Sequence, residues 1–134
     1  MYTMKIGAIP TGEQLIELYA SVGWRAYTGQ PRRLLRAVEK SHQVFTVWQG
    51  EELVALLRTV GDGETIVYIQ DLLVKPEHQR QGLGRWLLGE FQENNFDIRQ
   101  KVLLTDGVEE NIAFYHSCGW QNAAERGIAA FVDL

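Results

Sequence analysis

Cysteine is nearly missing from this chain. Cys118 stands alone among 134 residues, so no disulfide can close within it. Proline occurs only three times, and no Pro- or Gly-rich tract, low-complexity segment or internal repeat breaks the sequence, which excludes a linker-like or repeat architecture. No apolar run approaches the roughly 20 residues that a bilayer-spanning helix needs. Positive charge is outnumbered, with 13 Lys and Arg against 17 Asp and Glu for a formal charge of −4. General nucleic-acid binders carry the opposite balance. The local exception is a basic cluster at Arg32, Arg33 and Arg36. The opening residues Met1-Tyr2-Thr3-Met4-Lys5 lack the apolar core of a signal peptide. The expectation is a cytoplasmic protein with neither membrane nor nucleic acid as partner. Two phosphate-binding signatures are also missing. There is no Gly-Lys-Ser/Thr, so no P-loop, and Gly82-x-Gly84 runs on to Leu87 where a dinucleotide fingerprint has its third glycine. His42, His78, His116 and Cys118 show no metal-ligand spacing, and no metal is expected.

What is present suits one domain over residues 1–134, with 46% hydrophobic residues to supply a core. The patterning predicts a short strand near residues 3–8. A helix opened by the capping box Thr11-Gly12-Glu13-Gln14 follows, with Leu15, Leu18, Tyr19 and Val22 on one face. Gly23 ends it, and Pro31 starts a second helix whose inner side is Leu34, Leu35 and Val38. Strands over residues 44–48, 53–60 and 65–74, joined by tight turns, predict an antiparallel meander. The third is apolar on both faces, with Val67, Ile69 and Leu73 on one and Ile66, Tyr68, Leu72 and Val74 on the other. Leu83, Leu87 and Phe91 mark a helix stopping near Asn94-Asn95. A strand over 102–105, parallel to its predecessor, precedes a helix over about 109–117, and residues 128–132 read as a final strand.

The segment Asp71-Leu72-Leu73-Val74-Lys75-Pro76-Glu77-His78-Gln79-Arg80-Gln81-Gly82-Leu83-Gly84-Arg85 carries the most chemistry. An apolar strand enters a polar loop that opens a helix, so backbone N–H groups gather at the positive end of a helix dipole. That is a site for an anion, most naturally a pyrophosphate. Gly82 and Gly84 let it approach the main chain, and Arg80 and Arg85 add charge at the rim.

Three stretches together resemble the GCN5-related N-acetyltransferase (GNAT) superfamily. Gln79-Arg80-Gln81-Gly82-Leu83-Gly84 fits that family's acyl-CoA loop pattern, Gln/Arg-x-x-Gly-x-Gly/Ala. The strand end Leu72-Leu73-Val74 precedes it, and Phe114-Tyr115-His116-Ser117-Cys118-Gly119-Trp120 is similar to the family's Phe-Tyr-x-x-x-Gly-Phe segment. The resemblance implies an α/β fold with a mixed central sheet, an antiparallel meander plus a parallel pair splayed at the cofactor site, flanked by helices on both faces. It implies acetyl-CoA as acyl donor, with backbone groups of Leu72, Leu73 and Val74 along the pantetheine arm and Gln79, Arg80, Gln81, Gly82, Leu83, Gly84 and Arg85 around the pyrophosphate. The activity implied is N-acetyl transfer to a primary amine by direct attack in a ternary complex. The acceptor expected first is a small amine. A peptide or protein amine, or a domain that only binds acyl-CoA, are the alternatives, and a homodimer is compatible with the family.

The chemistry names further residues. The departing CoA thiolate needs a proton, and the implied donor is Tyr115, whose phenol has an ordinary pKa of ~10; the other reading is that Tyr115 packs beside the cofactor and hydrogen-bonds its sulfur. Asp71, a carboxylate within an apolar strand, either binds or deprotonates the amine or pairs with an arginine such as Arg58. The amide of Leu73 or Val74 is the candidate oxyanion donor. Asn111, four residues before Tyr115, shares its helical face and reads as a cofactor contact or a plain surface asparagine; many members place that asparagine where Val108 stands here. Trp24 and Tyr27 are expected to line the acceptor pocket, with Asp71 beneath them.

Overall fold

Residues 1–134 are all described by the computed structural model, and they divide into two compact units, Met1–Leu103 and Leu104–Leu134. The first holds a five-stranded sheet. Strand β1 (Thr3–Ile6) is followed by three helices, α1 (Gly12–Ser21), α2 (Arg25–Thr28) and α3 (Pro31–Glu39). Strands β2 (Gln43–Gln49), β3 (Glu52–Gly61) and β4 (Ile66–Val74), helix α4 (Leu83–Asn94) and strand β5 (Gln100–Leu103) complete it. The second unit contains helix α5 (Glu109–Ser117) and a 3-10 turn at Ala123–Arg126.

Local chemistry accounts for these limits. At α1 the Thr11 hydroxyl accepts from the Gln14 amide and the Gln14 carboxamide oxygen from the Thr11 amide, so both orphan donors are satisfied. Pro31 begins α3, where its missing N–H costs nothing. Asp62 holds the β3–β4 turn, its carboxylate accepting from the amides of Glu64, Thr65 and Ile66. The meander β1-β2-β3-β4 is antiparallel throughout, and β5 joins β4 in parallel, after the crossover through α4.

One face of the sheet is covered by α1 and α3. Leu15, Leu18, Tyr19, Leu34 and Val38 pack there on Val44, Trp48, Leu53, Leu56 and Leu73. Helix α4 lies against β2, β3 and β4, burying Leu83, Leu87, Leu88 and Phe91, and its C-cap Asn95 reaches Gln43 of β2.

The register holds one departure from the expected strand pattern. Arg58 pairs with Asp71 while Thr59 pairs with Ile69, so Gln70 is an extra residue in β4. Such a bulge turns both of its residues to one side and reverses the alternation beyond it. Leu73 therefore joins the α1–α3 core, and Val67 and Ile69 do not share its face as simple alternation predicts. A second correction concerns the tail. Residues 128–132 form no strand; Ile128, Phe131 and Val132 are exposed and the stretch joins no sheet. A strand exists through its hydrogen-bonded neighbour, and β propensity alone does not supply one. The expected strand at 102–105 is shifted to Gln100–Leu103 and is only half-buried, and between Gly23 and Pro31 the chain adds a single helical turn, α2, that the patterning does not predict.

Candidate functional site

Strand β4 is longer than its parallel partner. Strand β5 accompanies it only from Ile66 (opposite Gln100) to Ile69 (opposite Leu103). From Gln70 to Val74 the strand keeps β3 on one flank and has no strand on the other. The bulge sits where the two parallel strands part company. An open strand flank presents N–H and C=O groups in a row, which an extended ligand can pair with as if it were another strand. Leu72, Leu73 and Val74 lie on this segment.

The strand leads into a 3-10 turn at Pro76–His78 and then into the loop. Arg80 has φ 63° and Gly82 φ 80°, two left-handed residues within three positions. A left-handed non-glycine residue costs about 1–3 kcal/mol, and such strain gathers where a ligand is to be held. Alternation of backbone hand also folds successive amides into an anion-binding concavity. Gly82 caps α4 without a side-chain bond, and the first intrahelical bond is from the Trp86 amide to the Gly82 carbonyl at 3.0 Å. The preceding amides, those of Leu83, Gly84 and Arg85, have no intrahelical acceptor. A Cβ on Gly82 would meet no atom within 4 Å, so the space before this helix start is open. Arg80 and Gln81 are exposed beside it.

The loop is anchored from behind. Lys75, 4% exposed, donates to Glu52 at 2.8 Å and Glu17 at 3.1 Å, which joins the strand end to β3 and α1. Burial opposes its charge, but the two carboxylates outweigh that and hold Lys75 above the ordinary lysine value. Nδ1 of His78 shares a 2.9 Å hydrogen bond with the Tyr2 hydroxyl. Gln79 donates to the Val74 carbonyl at 3.0 Å and so ties the loop to the strand end. The sequence reading did not single out Lys75 or His78 as anchors. A lysine between an apolar strand and a proline was the available signal.

Asp71 occupies the centre of a second cluster. It is 3% exposed. Its Oδ1 accepts from the Tyr27 hydroxyl at 2.9 Å, and its Oδ2 accepts from the Tyr19 hydroxyl at 2.9 Å and from Nε of Arg58 at 2.5 Å. Arg58 also donates to the Tyr27 hydroxyl at 3.2 Å, as does Gln70 at 3.2 Å. Because the bulge turns Gln70 and Asp71 to the same side, both reach one phenol. The ion pair across the sheet was one of the two readings open for Asp71, and Arg58 forms it. Tyr19, core by its position on the α1 face, also bonds this carboxylate. Burial pushes the Tyr19 phenol far above its ordinary value, with Asp71 adding to the effect. Tyr27 is raised as well, chiefly by burial. Burial works against the Arg58 guanidinium, and the adjoining Asp71 carboxylate more than compensates, so it stays charged. Trp24 stands edge-on to Tyr19, ring centres 5.9 Å apart, and 6.2 Å from Tyr27. Trp24, Tyr27 and Asp71 thus lie in one cluster.

Asn111 and Tyr115 lie on α5 in the second unit. Asn111 donates to the Thr105 hydroxyl at 3.1 Å, so it braces the loop before its own helix. Tyr115 packs against Phe114 and Trp120, ring centres 5.1 and 6.5 Å away. Burial raises its phenol above the ordinary value and the neighbouring Cys118 adds to this, so Tyr115 is neutral and proton-bearing at pH 7.

Known proteins match this chain closely. Residues 40–122 fit the family model described as an acetyltransferase (GNAT) domain. An uncharacterised N-acetyltransferase, ycf52-like, from Prochlorococcus marinus is 34% identical over 80% of the chain, and the match spans 61% of that relative's length. A solved GNAT-family acetyltransferase from Streptococcus pneumoniae is 33% identical, with a TM-score of 0.89 over 100% of this chain and 98% of its own. AAC(6′)-Iy in complex with a bisubstrate analogue, CoA-S-monomethyl-acetylneamine, shares the fold at 10% identity, with a TM-score of 0.76 over 100% of this chain and 98% of its own.

Two outcomes follow from the Asp71 cluster. Asp71→Asn leaves Arg58 buried without its counter-charge and is expected to lower the unfolding free energy by roughly 3–5 kcal/mol in urea titration. The double variant R58M/D71N should recover part of that loss, and if it does not, the pair is not the source. At alkaline pH, phenols raised above ~10 in the fold contribute stability that is complete below pH ~10 and is lost as pH rises beyond it. Phenolate absorbance should therefore show Tyr19 ionising only together with the loss of circular dichroism, and Tyr19→Phe should remove that late step.

Proposed function

The chain belongs to the GNAT acetyltransferase family, and on that premise we propose that it is an acetyl-CoA-dependent N-acetyltransferase that acetylates the primary amine of a small molecule in a ternary complex. One observation carries the reading: the unpaired flank of β4 over residues 70–74 leads, through the turn at Pro76–His78, into the open, uncapped helix start at Gly82. An extended arm ending in a pyrophosphate fits that succession of strand edge and anion cradle. The donor supplies an activated acyl thioester. The Lys75 amide donates to the Val54 carbonyl, so Leu73, two residues back, turns its main-chain groups to β3 as well, and Leu72 and Val74 face the open flank. Leu72 offers both of its main-chain groups to the arm, while the Val74 carbonyl is already committed to Gln79. Arg80, Gln81 and the amides of Gly82 through Arg85 hold the phosphates, and of the two candidate amides that of Val74, which faces the open flank, is the donor to the carbonyl oxygen, since that of Leu73 faces β3.

Two roles follow for the remaining residues. An ordinary phenol at ~10 is a weaker acid than a thiol at ~8.5, an uphill difference of about 2 kcal/mol that burial enlarges. Tyr115 is thus suited to hydrogen-bonding the leaving sulfur and yielding its proton late. With three donors on its carboxylate, Asp71 acts by fixing the Tyr27 hydroxyl and not as a free base. Trp24 and Tyr27 form the acceptor wall. A small amine as acceptor draws support from the analogue bound by AAC(6′)-Iy, which joins CoA to acetylneamine.

Calorimetry with acetyl-CoA tests the loop. Wild-type protein should bind saturably. Gly82→Glu, which adds a carboxylate and a strained left-handed side chain, should abolish binding while circular dichroism is retained. Equal binding by that variant would remove the loop from the site. Tyr115→Phe should lower thiol release in an amine panel by roughly 10-fold or more with acetyl-CoA affinity unchanged. Unchanged turnover would withdraw the Tyr115 role, and no turnover with any amine would leave a domain that only binds acyl-CoA.

A further inference from the structure

Between residues 25 and 40 the chain reverses its overall charge. Arg25, Arg32, Arg33, Arg36 and Lys40 stand against a single carboxylate, Glu39, in a protein of net charge −4. All five cations are exposed. None takes part in an ion pair or a side-chain hydrogen bond, in contrast to Arg58 and Lys75, whose charges are both neutralised within the fold. Arg32 and Arg36 are four residues apart and Arg33 and Arg36 three, so they share the solvent side of α3, opposite the buried Leu34 and Val38. Arg32 and Arg33 sit in the first turn, where the helix dipole disfavours a cation. That placement contributes nothing to α3 and concentrates positive potential at its start. From Arg32 to Lys40 the stripe runs roughly 12 Å, longer than a single phosphate or carboxylate would occupy.

The stripe borders an apolar groove. Between α1 and α3, Ile16, Pro31 and Leu35 line an open depression of about 480 Å³, with Gly12 beside them and Arg32 on the α3 side. Glu13 and Glu17 form the opposite rim, and Glu17 is already held by Lys75. A ligand here meets cations on the α3 side and aliphatic carbon beside them.

We propose that α3 and this groove dock an extended acidic polypeptide segment whose carboxylates follow Arg32, Arg33, Arg36 and Lys40 and whose aliphatic side chains enter between Ile16 and Leu35. Charge complementarity selects a polyanion, and the groove selects among polyanions. A peptide alternates carboxylates with aliphatic side chains at the two-residue period of an extended chain. A nucleic-acid strand supplies no aliphatic groups and would seek exposed aromatic platforms. The aromatic rings adjacent to the stripe, Trp24 and Tyr27, are turned onto Tyr19 and Asp71 instead. This surface is independent of acyl-donor binding, so it stands or falls apart from the enzymatic reading.

Fluorescence anisotropy with a labelled peptide alternating glutamate and leucine tests it. The expected result is saturable binding that weakens with added salt. Binding should fall by roughly 10-fold or more in R32A/R33A/R36A, as the loss of three charges of the stripe implies. Those side chains are exposed and unpartnered, so the variant should keep its fold, and retained acetyl-CoA affinity serves as the check. A glutamate–serine peptide of equal charge should bind clearly more weakly than the glutamate–leucine one. Oligothymidylate of equal charge binding as tightly would overturn the proposal in favour of a nucleic-acid surface. Equal affinity of the triple variant, equal affinity of the serine peptide, or no saturation would overturn it outright.

Discussion

The Asp71 carboxylate ties the sheet to the helices that cover one of its faces. It gathers Tyr19 from α1, Tyr27 from α2 and Arg58 from β3 within hydrogen-bond distance. An ionised carboxylate and a guanidinium are both costly to bury, and each is tolerable here because the other is present and the phenols satisfy remaining lone pairs. The bulge at Gln70 makes this possible. Without the extra residue, the alternation that points Leu73 into the α1–α3 core would point Ile69 there as well, and Gln70 could not join Asp71 at the Tyr27 hydroxyl. The same bulge lies where β4 and β5 separate, so one irregularity in one strand both builds the aromatic–carboxylate wall and coincides with the open flank.

Immediately beyond that flank the chain must leave a strand, turn through left-handed residues and start a helix with its amides exposed. Such a loop has few apolar contacts of its own. Its geometry is held from outside, by Lys75 between Glu17 and Glu52, by His78 against Tyr2, and by Gln79 on the Val74 carbonyl. A rigid frame around a strained loop is the arrangement that lets main-chain donors face an anion without reorganising when it arrives.

Charge is distributed as unevenly as strain. Buried cations are paired, and those of residues 25–40 are left to solvent. The net charge of −4 therefore hides a basic stripe beside an apolar groove. An overall balance that argues against general nucleic-acid binding says nothing about one helix face.

Much of the architecture was legible in the residues. The Thr11 capping box, the Pro31 start, the tight turns of the meander, the α4 stripe of Leu83, Leu87 and Phe91, and α5 all rest on interactions within a few positions of chain, which local pattern records directly. The loop from Gln79 to Arg85 was legible for the same reason, since glycine spacing and a strand-to-helix change are local. Non-local facts were not. Whether residues 128–132 form a strand depends on a neighbour to pair with, and propensity does not provide one. The bulge at Gln70 depends on the register of β3 against β4, so the true facing of Ile69 and Leu73 could not be read from alternation. Which of two roles Asp71 takes depended on Tyr19, Tyr27 and Arg58 arriving from 52, 44 and 13 positions away in sequence. The sequence by itself thus determined most of the helices and the glycine-marked strand-to-helix loop, because hydrogen bonds and apolar spacing along the chain suffice for them. Tertiary structure alone decided what each buried charge is paired with, because that follows from which distant groups the packed sheet brings within about 3 Å.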